Sequence, residues 1–187
     1  MTEYPCILSD PPWPLNGGGK IKRGADRWYP TINNRAQIAA VHLDCPLWNP
    51  APDAHLWMWT TNNHLPWALW VMNALDFRYV TNFPWVKPGR MGLGQYARGC
   101  HELLLFGVRG KGYNACTSFN GKRLTVRSDA LVGAPRPTRN GKVVHSAKPV
   151  ESYELIERRS IGPRLELFAR REREGWDCWG NELSATP

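Results

Sequence analysis

"LSDPPWPL", residues 8 to 15, carries an apolar, strand-like run into an acid, two prolines and a tryptophan. If Cys6 to Ser9 is a buried strand, Asp10 stands at its carboxyl end, where open α/β sheets bind ligands. Pro11 and Pro12 each fix φ near about −65° and bring no N–H, so the turn offers carbonyl oxygens beside the Asp10 carboxylate. A carboxylate next to a rigid carbonyl is a two-acceptor cradle, suited to an exocyclic NH₂ whose two hydrogens each need an acceptor. Trp13 offers a flat face for stacking on a planar base. The same residues also make a plain strand-terminating turn with a packing tryptophan, and the rest of the chain has to decide between the two.

Outward from this turn, "AHLWMWT" (54–60), "RYVTNFPWVK" (78–87), "HELLLFGV" (101–108) and "RLELFA" (164–169) read as further strands. Helical patterns lie between them. Residues 34 to 43 follow the cap candidates Asn33 and Asn34, and residues 63 to 75 follow Thr61 and Asn62 with Leu65, Ala68, Leu69 and Met72 at helical spacing. A third helix is expected from Pro149, a favoured first helical residue, through Tyr153 and Ile156 to about Arg159. Strands alternating with helices predict an α/β fold, a largely parallel sheet flanked by helices.

Two stretches resist that reading. "NGGGKIKRGADRWYP" (16–30) is glycine-rich and basic, and residues 109–148 carry nine Lys or Arg side chains, among them Lys122, Arg123, Arg127, Arg139 and Lys142, against only Asp129. They are expected as surface loops, with Asn120-Gly121 and Asn140-Gly141 each able to close a hairpin.

The 187 residues suit one domain, read here as residues 1–187, that buries roughly 70% of its unfolded surface. A net charge of +8 favours a polyanionic partner such as nucleic acid. Ten tryptophans allow base stacking, although most are expected in the core. Five cysteines, odd in number and without a CxxC pair, fit reduced thiols in the cytoplasm and show no zinc site. The most apolar segment, Leu65 to Leu75, is too short to span a bilayer, so no membrane association is expected.

The cradle solves a definite chemical problem. The N6 lone pair of adenine is delocalised into its ring, and hydrogen bonds accepted from both amine protons favour a more tetrahedral, nucleophilic nitrogen. A carboxylate also stabilises positive charge developing there, so Asp10 need not be a strong base. S-adenosylmethionine (SAM), with its sulfonium leaving group, is the fitting methyl donor, and no metal is required. His55, His64, His101 and His145 have no partner legible in the sequence.

With these residues in view, the chain resembles the DPPW-type adenine-N6 methyltransferases, which include the catalytic subunit of the eukaryotic mRNA adenine methyltransferase and short bacterial and phage members. The resemblance runs through "ILSDPPW", "RWYPTI", "LWMWTTN", "FPWVK", "GQYARGCHELLLFGVRG", "HSAKPVESYELIERR" and "LELFARREREGWDCWGNE" in order. It implies a Rossmann-like fold with permuted motif order, catalytic tetrapeptide first and SAM-binding strand last. No GxGxxG follows an early strand and no GxxxxGK[ST] occurs, and Gly17 to Gly19 with Lys20 lack the context of a phosphate loop.

By the resemblance, Asp10, Pro11, Pro12 and Trp13 form the catalytic motif, with Asp10 also near the SAM amino group. Tyr29 and Trp13 border the base, Lys148 lies near substrate and methionine, and Arg170, Asn181 and Glu182 hold the ribose and adenine of SAM. Three departures follow. The first strand begins close to residue 1, whereas longer relatives have an upstream segment enclosing the SAM adenine. Glu182 stands where the eukaryotic enzyme has glutamine, and Glu172, where it has histidine, would repel a carboxylate and leaves the SAM carboxylate contact open. DNA is favoured over RNA because the chain resembles the short bacterial and phage members. An RNA adenine methyltransferase and a non-catalytic nucleic-acid-binding subunit are the rival readings.

Overall fold

The computed structural model describes residues 1–14, 31–89, 96–144 and 146–183, so Tyr29, His145 and the glycine-rich basic segment lie outside the described residues. The first strand, β1 (Tyr4–Ser9), is followed by α1 (Arg35–Leu43), β2 (Pro50–Thr60), α2 (Leu65–Ala74), β3 (Arg78–Val86) and β4 (His101–Arg109). Four short strands come next, β5 (Ser118–Phe119), β6 (Lys122–Arg123), β7 (Thr138–Arg139) and β8 (Lys142–Val143). The chain then forms α3 (Val150–Arg159), β9 (Arg164–Leu167) and β10 (Asp177–Trp179).

The central sheet has six strands in the order β10-β9-β1-β2-β4-β3. The pairs from β10 to β2 are parallel, while β4 runs antiparallel to both β2 and β3. The first strand is therefore central, clamped between β2 and β9. Alternate residues of each strand feed opposite faces. Ile7, Leu56, Met58, Leu105 and Leu165 face one core with Ile38 of α1 and Val71 and Met72 of α2. Cys6, Leu8, Trp57, Trp59, Leu104 and Phe106 face the other, with Leu155 and Ile156 of α3. Covered on both sides, these strands read as unbroken apolar runs such as "LWMW" and "LLLF". Part of the tryptophan content is thereby explained: Trp57 and Trp59 are essentially inaccessible, and cutting such a ring back to alanine costs on the order of 3–5 kcal/mol.

Several boundaries differ from the sequence reading for local reasons. Strand β2 begins at Pro50, since residues 50–53 lie outside the pairing with β4, which starts at Ala54↔Arg109; prolines there break no ladder on that side. Pro149 precedes α3 in extended conformation and caps it, its carbonyl accepting from the Ser152 amide at 3.1 Å and hydroxyl at 2.6 Å. Strand β9 stops at Leu167 because Phe168 is left-handed, with φ 61°. Strand β10 has no counterpart in the sequence reading. Both Asn-Gly pairs do close hairpins, β5–β6 and β7–β8, with positive φ at both turn residues, 49° and 71° in one and 51° and 72° in the other. These are the type I′ turns that the dipeptide favours.

Candidate active site

Asp10 leaves the carboxyl end of β1, its amide still reaching the Leu167 carbonyl of β9 at 3.5 Å. The two prolines then bend the chain through a three-residue turn, in which the Trp13 amide donates to the Pro11 carbonyl at 2.8 Å. Proline at the centre of that turn supplies the φ the turn needs. The Pro12 carbonyl accepts the Ile32 amide at 3.0 Å. Each proline carbonyl therefore has one donor already and keeps a second lone pair.

Trp13 is 8% exposed. Its indole N–H donates to the Trp59 carbonyl at 2.8 Å, and the ring stacks on His64 at 5.8 Å between centroids with planes 14° apart. The indole thus anchors the turn to the core and has a neighbour on one face. His64 in turn contacts Thr61 Oγ1 through Nδ1 at 2.9 Å.

Opposite Asp10, Lys148 projects from the segment before α3 and donates from Nζ to Asp10 Oδ2 at 2.7 Å and to the Ser146 carbonyl at 3.2 Å. Lys148 also lies 3.5 Å from Glu102 Oε2, and Glu102 in turn pairs with Lys87. The order is carboxylate, ammonium, carboxylate, ammonium. Both ammonium groups lie over indoles, Lys148 5.5 Å from the Trp59 centroid and Lys87 4.8 Å from that of Trp85. Burial pushes the Glu102 carboxyl up, but Lys148 and Lys87 together outweigh it and hold the group below its ordinary range. Burial opposes the Lys148 charge, yet Asp10 and Glu102 raise its pKa above the ordinary lysine value. Alternating charges let each partly buried ion compensate its neighbour.

The last two strands bring the remaining candidates together. Arg170 follows β9, Asn181 and Glu182 follow β10, and Arg170 Nε lies 3.7 Å from Glu182 Oε1. Gly180 makes this approach possible, since a Cβ there would collide with the carbonyl oxygen and amide nitrogen of Ala169. Gly180→Ala is therefore expected to cost about 2 to 3 kcal/mol and to lower the melting temperature by roughly 5 to 10 °C. An unchanged melting temperature in a thermal scan would contradict the close packing of this turn.

Three groups escaped the sequence reading. Glu102 and Lys87 sit inside quoted motifs, and the available signal was parity: Glu102 shares a face with the buried Leu104 and Phe106 and is register partner of Trp85. His42, on α1, bonds through Nε2 to the Ser9 hydroxyl at 2.8 Å and through Nδ1 to the Ile38 carbonyl at 2.7 Å. A carbonyl only accepts, so the hydrogen-bond pattern assigns the proton to Nδ1 and makes Nε2 the acceptor of the Ser9 O–H. Ser9, the residue before Asp10, is thus fixed from the opposite face of the sheet. His55 has an equivalent arrangement, its Nε2 donating to Gly112 and its Nδ1 accepting from Ser160, whose oxygen also receives the Trp57 N–H. Among the described residues no group of three or more His, Cys, Asp or Glu could hold a metal ion, and no helix is long and apolar enough to cross a membrane.

Comparison with known proteins fits this geometry. The chain is 27% identical over 213 aligned positions to the type II methyltransferase M.MunI of Mycoplasma sp, covering 97% of this chain and 78% of the relative. It matches MT-A70 over residues 4–182. That match runs from the strand that delivers Asp10 to the turn that ends at Glu182, and it makes this chain a member of the MT-A70 family, an adenine methyltransferase working on N6 with SAM as donor.

Proposed function

We propose that this chain, acting as one catalytic domain in the cytoplasm, methylates the N6 amine of adenine in DNA at the cradle beyond β1. The observation that carries the reading is the Asp10 carboxylate, held at 2.7 Å by the buried Lys148 at the carboxyl end of the central strand. The neighbouring ammonium fixes the orientation of that carboxylate through a charge-assisted hydrogen bond. Asp10 takes one amine hydrogen, the Pro11 carbonyl takes the other, and Trp13 holds the turn while it and Tyr29 border the base. A base paired in a duplex cannot reach this position, so the adenine is flipped out or taken from a single strand.

SAM supplies an electrophilic methyl on a positively charged sulfur. The residues present fit it: Arg170, Asn181 and Glu182 bring donors and acceptors suited to ribose hydroxyls and adenine, with Asp10 and Lys148 toward the methionine end. Asn181 and Glu182 lie exposed on a turn that β9–β10 pairing sets beside Arg170. The five cysteines, all unpaired, suit a reducing compartment.

The preference for DNA draws on the resemblance to short bacterial and phage enzymes and on a relative named as a type II methyltransferase. The exposed hairpins support a polyanionic partner, since Lys122 and Arg123 lie exposed on one with exposed Phe119, and Arg139 and Lys142 lie exposed on the other. Phosphate contacts of this kind position without specifying sequence. The test is transfer of labelled methyl from SAM to double-stranded DNA, single-stranded DNA and RNA in parallel, followed by nucleoside analysis. Label in N6-methyladenine of DNA is expected. Label confined to RNA moves the substrate and keeps the chemistry; no label on any polymer removes the reading. In the same series Lys122→Glu with Lys142→Glu should weaken duplex binding and flatten its log-log salt slope by about 0.9 per lost contact, whereas unchanged affinity and slope would clear the hairpins of that role.

A further inference from the structure

Arg173 lies in the segment that leads from β9 to β10, and its guanidinium carbon sits 3.4 Å from the centroid of the Tyr153 ring on α3. A guanidinium stacked in this way spends its face on the ring and keeps its N–H groups directed outward in its own plane. Two of them, Nε and Nη2, are buried and have no hydrogen-bond acceptor among the described residues. These two form the side-on fork of an arginine, which one planar two-oxygen group can span. The same atoms do so elsewhere in this protein: Arg127 holds Asp129 from Nε at 2.9 Å and from Nη2 at 2.7 Å. Arg164, by contrast, has only Nε among its buried unpaired nitrogens, its Nη2 reaching the backbone carbonyls of Ser160 and Glu157 at 3.1 and 3.5 Å.

A guanidinium cannot shed its charge, and a buried one without an acceptor is costly. The surroundings narrow what could meet the fork. Tyr153 donates its hydroxyl to Glu166 Oε1 at 2.8 Å, and Glu166 is itself 8% exposed on the sheet face that carries Leu8 and Trp59. Burial raises the pKa of both groups, and the Asp10 carboxylate raises each a little further, so the cluster is within electrostatic reach of the catalytic turn. A guanidinium fork beside a buried carboxylate complements an α-amino acid, whose carboxylate and ammonium share one carbon. The two acids flanking Arg173 in sequence, Glu172 and Glu174, are exposed. The terminal carboxylate of a small cosubstrate's tail presents the planar pair of oxygens that such a fork matches.

We propose that Arg173 binds the α-carboxylate of the methionine end of SAM through its Nε and Nη2, which supplies the contact that Glu172 cannot make. The assignment rests on SAM being the donor. It makes Arg173 a positioning residue: anchoring the far end of the amino-acid tail fixes where the sulfonium methyl lies relative to Asp10.

The test is calorimetric binding of SAM, decarboxylated SAM and 5′-methylthioadenosine to the wild-type chain and to Arg173→Met and Arg173→Lys. Methionine keeps an apolar stem over Tyr153, and thermal melting of each variant reports the fold. Arg173→Met is expected to weaken SAM roughly 10- to 100-fold and to leave decarboxylated SAM and methylthioadenosine within about twofold. Arg173→Lys should recover part of the loss as a point charge. Equal loss for all three ligands, or no loss for SAM, overturns the assignment while the donor stands. A wild-type chain that binds none of the adenosyl ligands removes the donor itself, and the assignment with it.

Discussion

Replacing Asp10 with asparagine is expected to slow methyl transfer about 10²- to 10³-fold without unfolding the protein. Asparagine is nearly isosteric, but it has one acceptor where the carboxylate has two. Lys148, 2.7 Å from Asp10 Oδ2, will claim that oxygen. The amide NH₂ is then turned toward the substrate amine, so that two donors face each other. Losing a charge-assisted hydrogen bond and gaining a misdirected donor amounts to roughly 3 to 4 kcal/mol in the transition state. The fold should survive because Lys148 keeps Glu102 at 3.5 Å. Single-turnover transfer from labelled SAM, with melting temperature as control, measures the effect; Asp10→Ala should lose at least as much. Wild-type rates in a folded Asp10→Asn protein would take Asp10 out of the reacting centre.

Acid should destabilise the protein well before its carboxylates dominate. Burial holds the pKa of His42 at about 4 against an ordinary 6.5, and desolvation likewise brings His55 to about 4. The unfolded chain binds protons on both rings as pH falls below 6.5, and the folded chain refuses them until about pH 4. Stability that is complete above that window is lost through it, roughly 3 kcal/mol for each ring, a large share of the about 5 to 15 kcal/mol typical of a domain. Glu166 acts with the opposite sign, since burial raises its pKa and acid favours its folded, protonated form. Urea melts from pH 7 to pH 4 should show a slope near 2.7 kcal/mol per pH unit at its steepest, about 1.4 from each histidine. His42→Gln should halve that slope even if it lowers the plateau. A curve that stays flat down to pH 5 would mean that neither imidazole is held neutral. The loss would also reach the Asp-Pro-Pro-Trp turn, because a protonated His42 can no longer accept from the Ser9 hydroxyl next to Asp10.

The parts of the molecule legible in the sequence are those where one residue type has few alternatives. Two consecutive prolines after an apolar run end a strand wherever they occur, and Asn-Gly favours positive φ at both positions, so the β1 turn and both hairpins could be read directly. Helices α1 to α3 follow from spacing, and α1 also from its cap, Asn34 accepting the Ala36 amide at 2.8 Å as its position suggests. Thr61 and Asn62 supply no side-chain cap to α2, which begins after His64. The illegible parts depend on partners far along the chain. Three residues of β10 acquire strand character only by pairing with β9. Nothing about a phenylalanine announces the left-handed turn at Phe168. At the site, Asp10 and Lys148 could be named from their motifs, but the charges beyond them could not. Glu102 and Lys87 meet only through the β3–β4 register, and Ser9 meets His42 only because α1 packs on the other face.

The place of β1 in the sheet bears on how the enzyme comes into being. The strand that leads into Asp10 is made long before its neighbour β9, and the Tyr4 hydroxyl bonds Asp177 at 2.7 Å across 173 residues of sequence. Pairings so distant form late and slowly, and during synthesis β1 waits for β9 to leave the ribosome. An unfinished chain can carry the whole Asp-Pro-Pro-Trp turn and still have no Arg170 or Glu182 beside it. Closure of the sheet thus makes the site a product of long-range pairing: the Asp10 turn is complete only once β9 has settled beside β1.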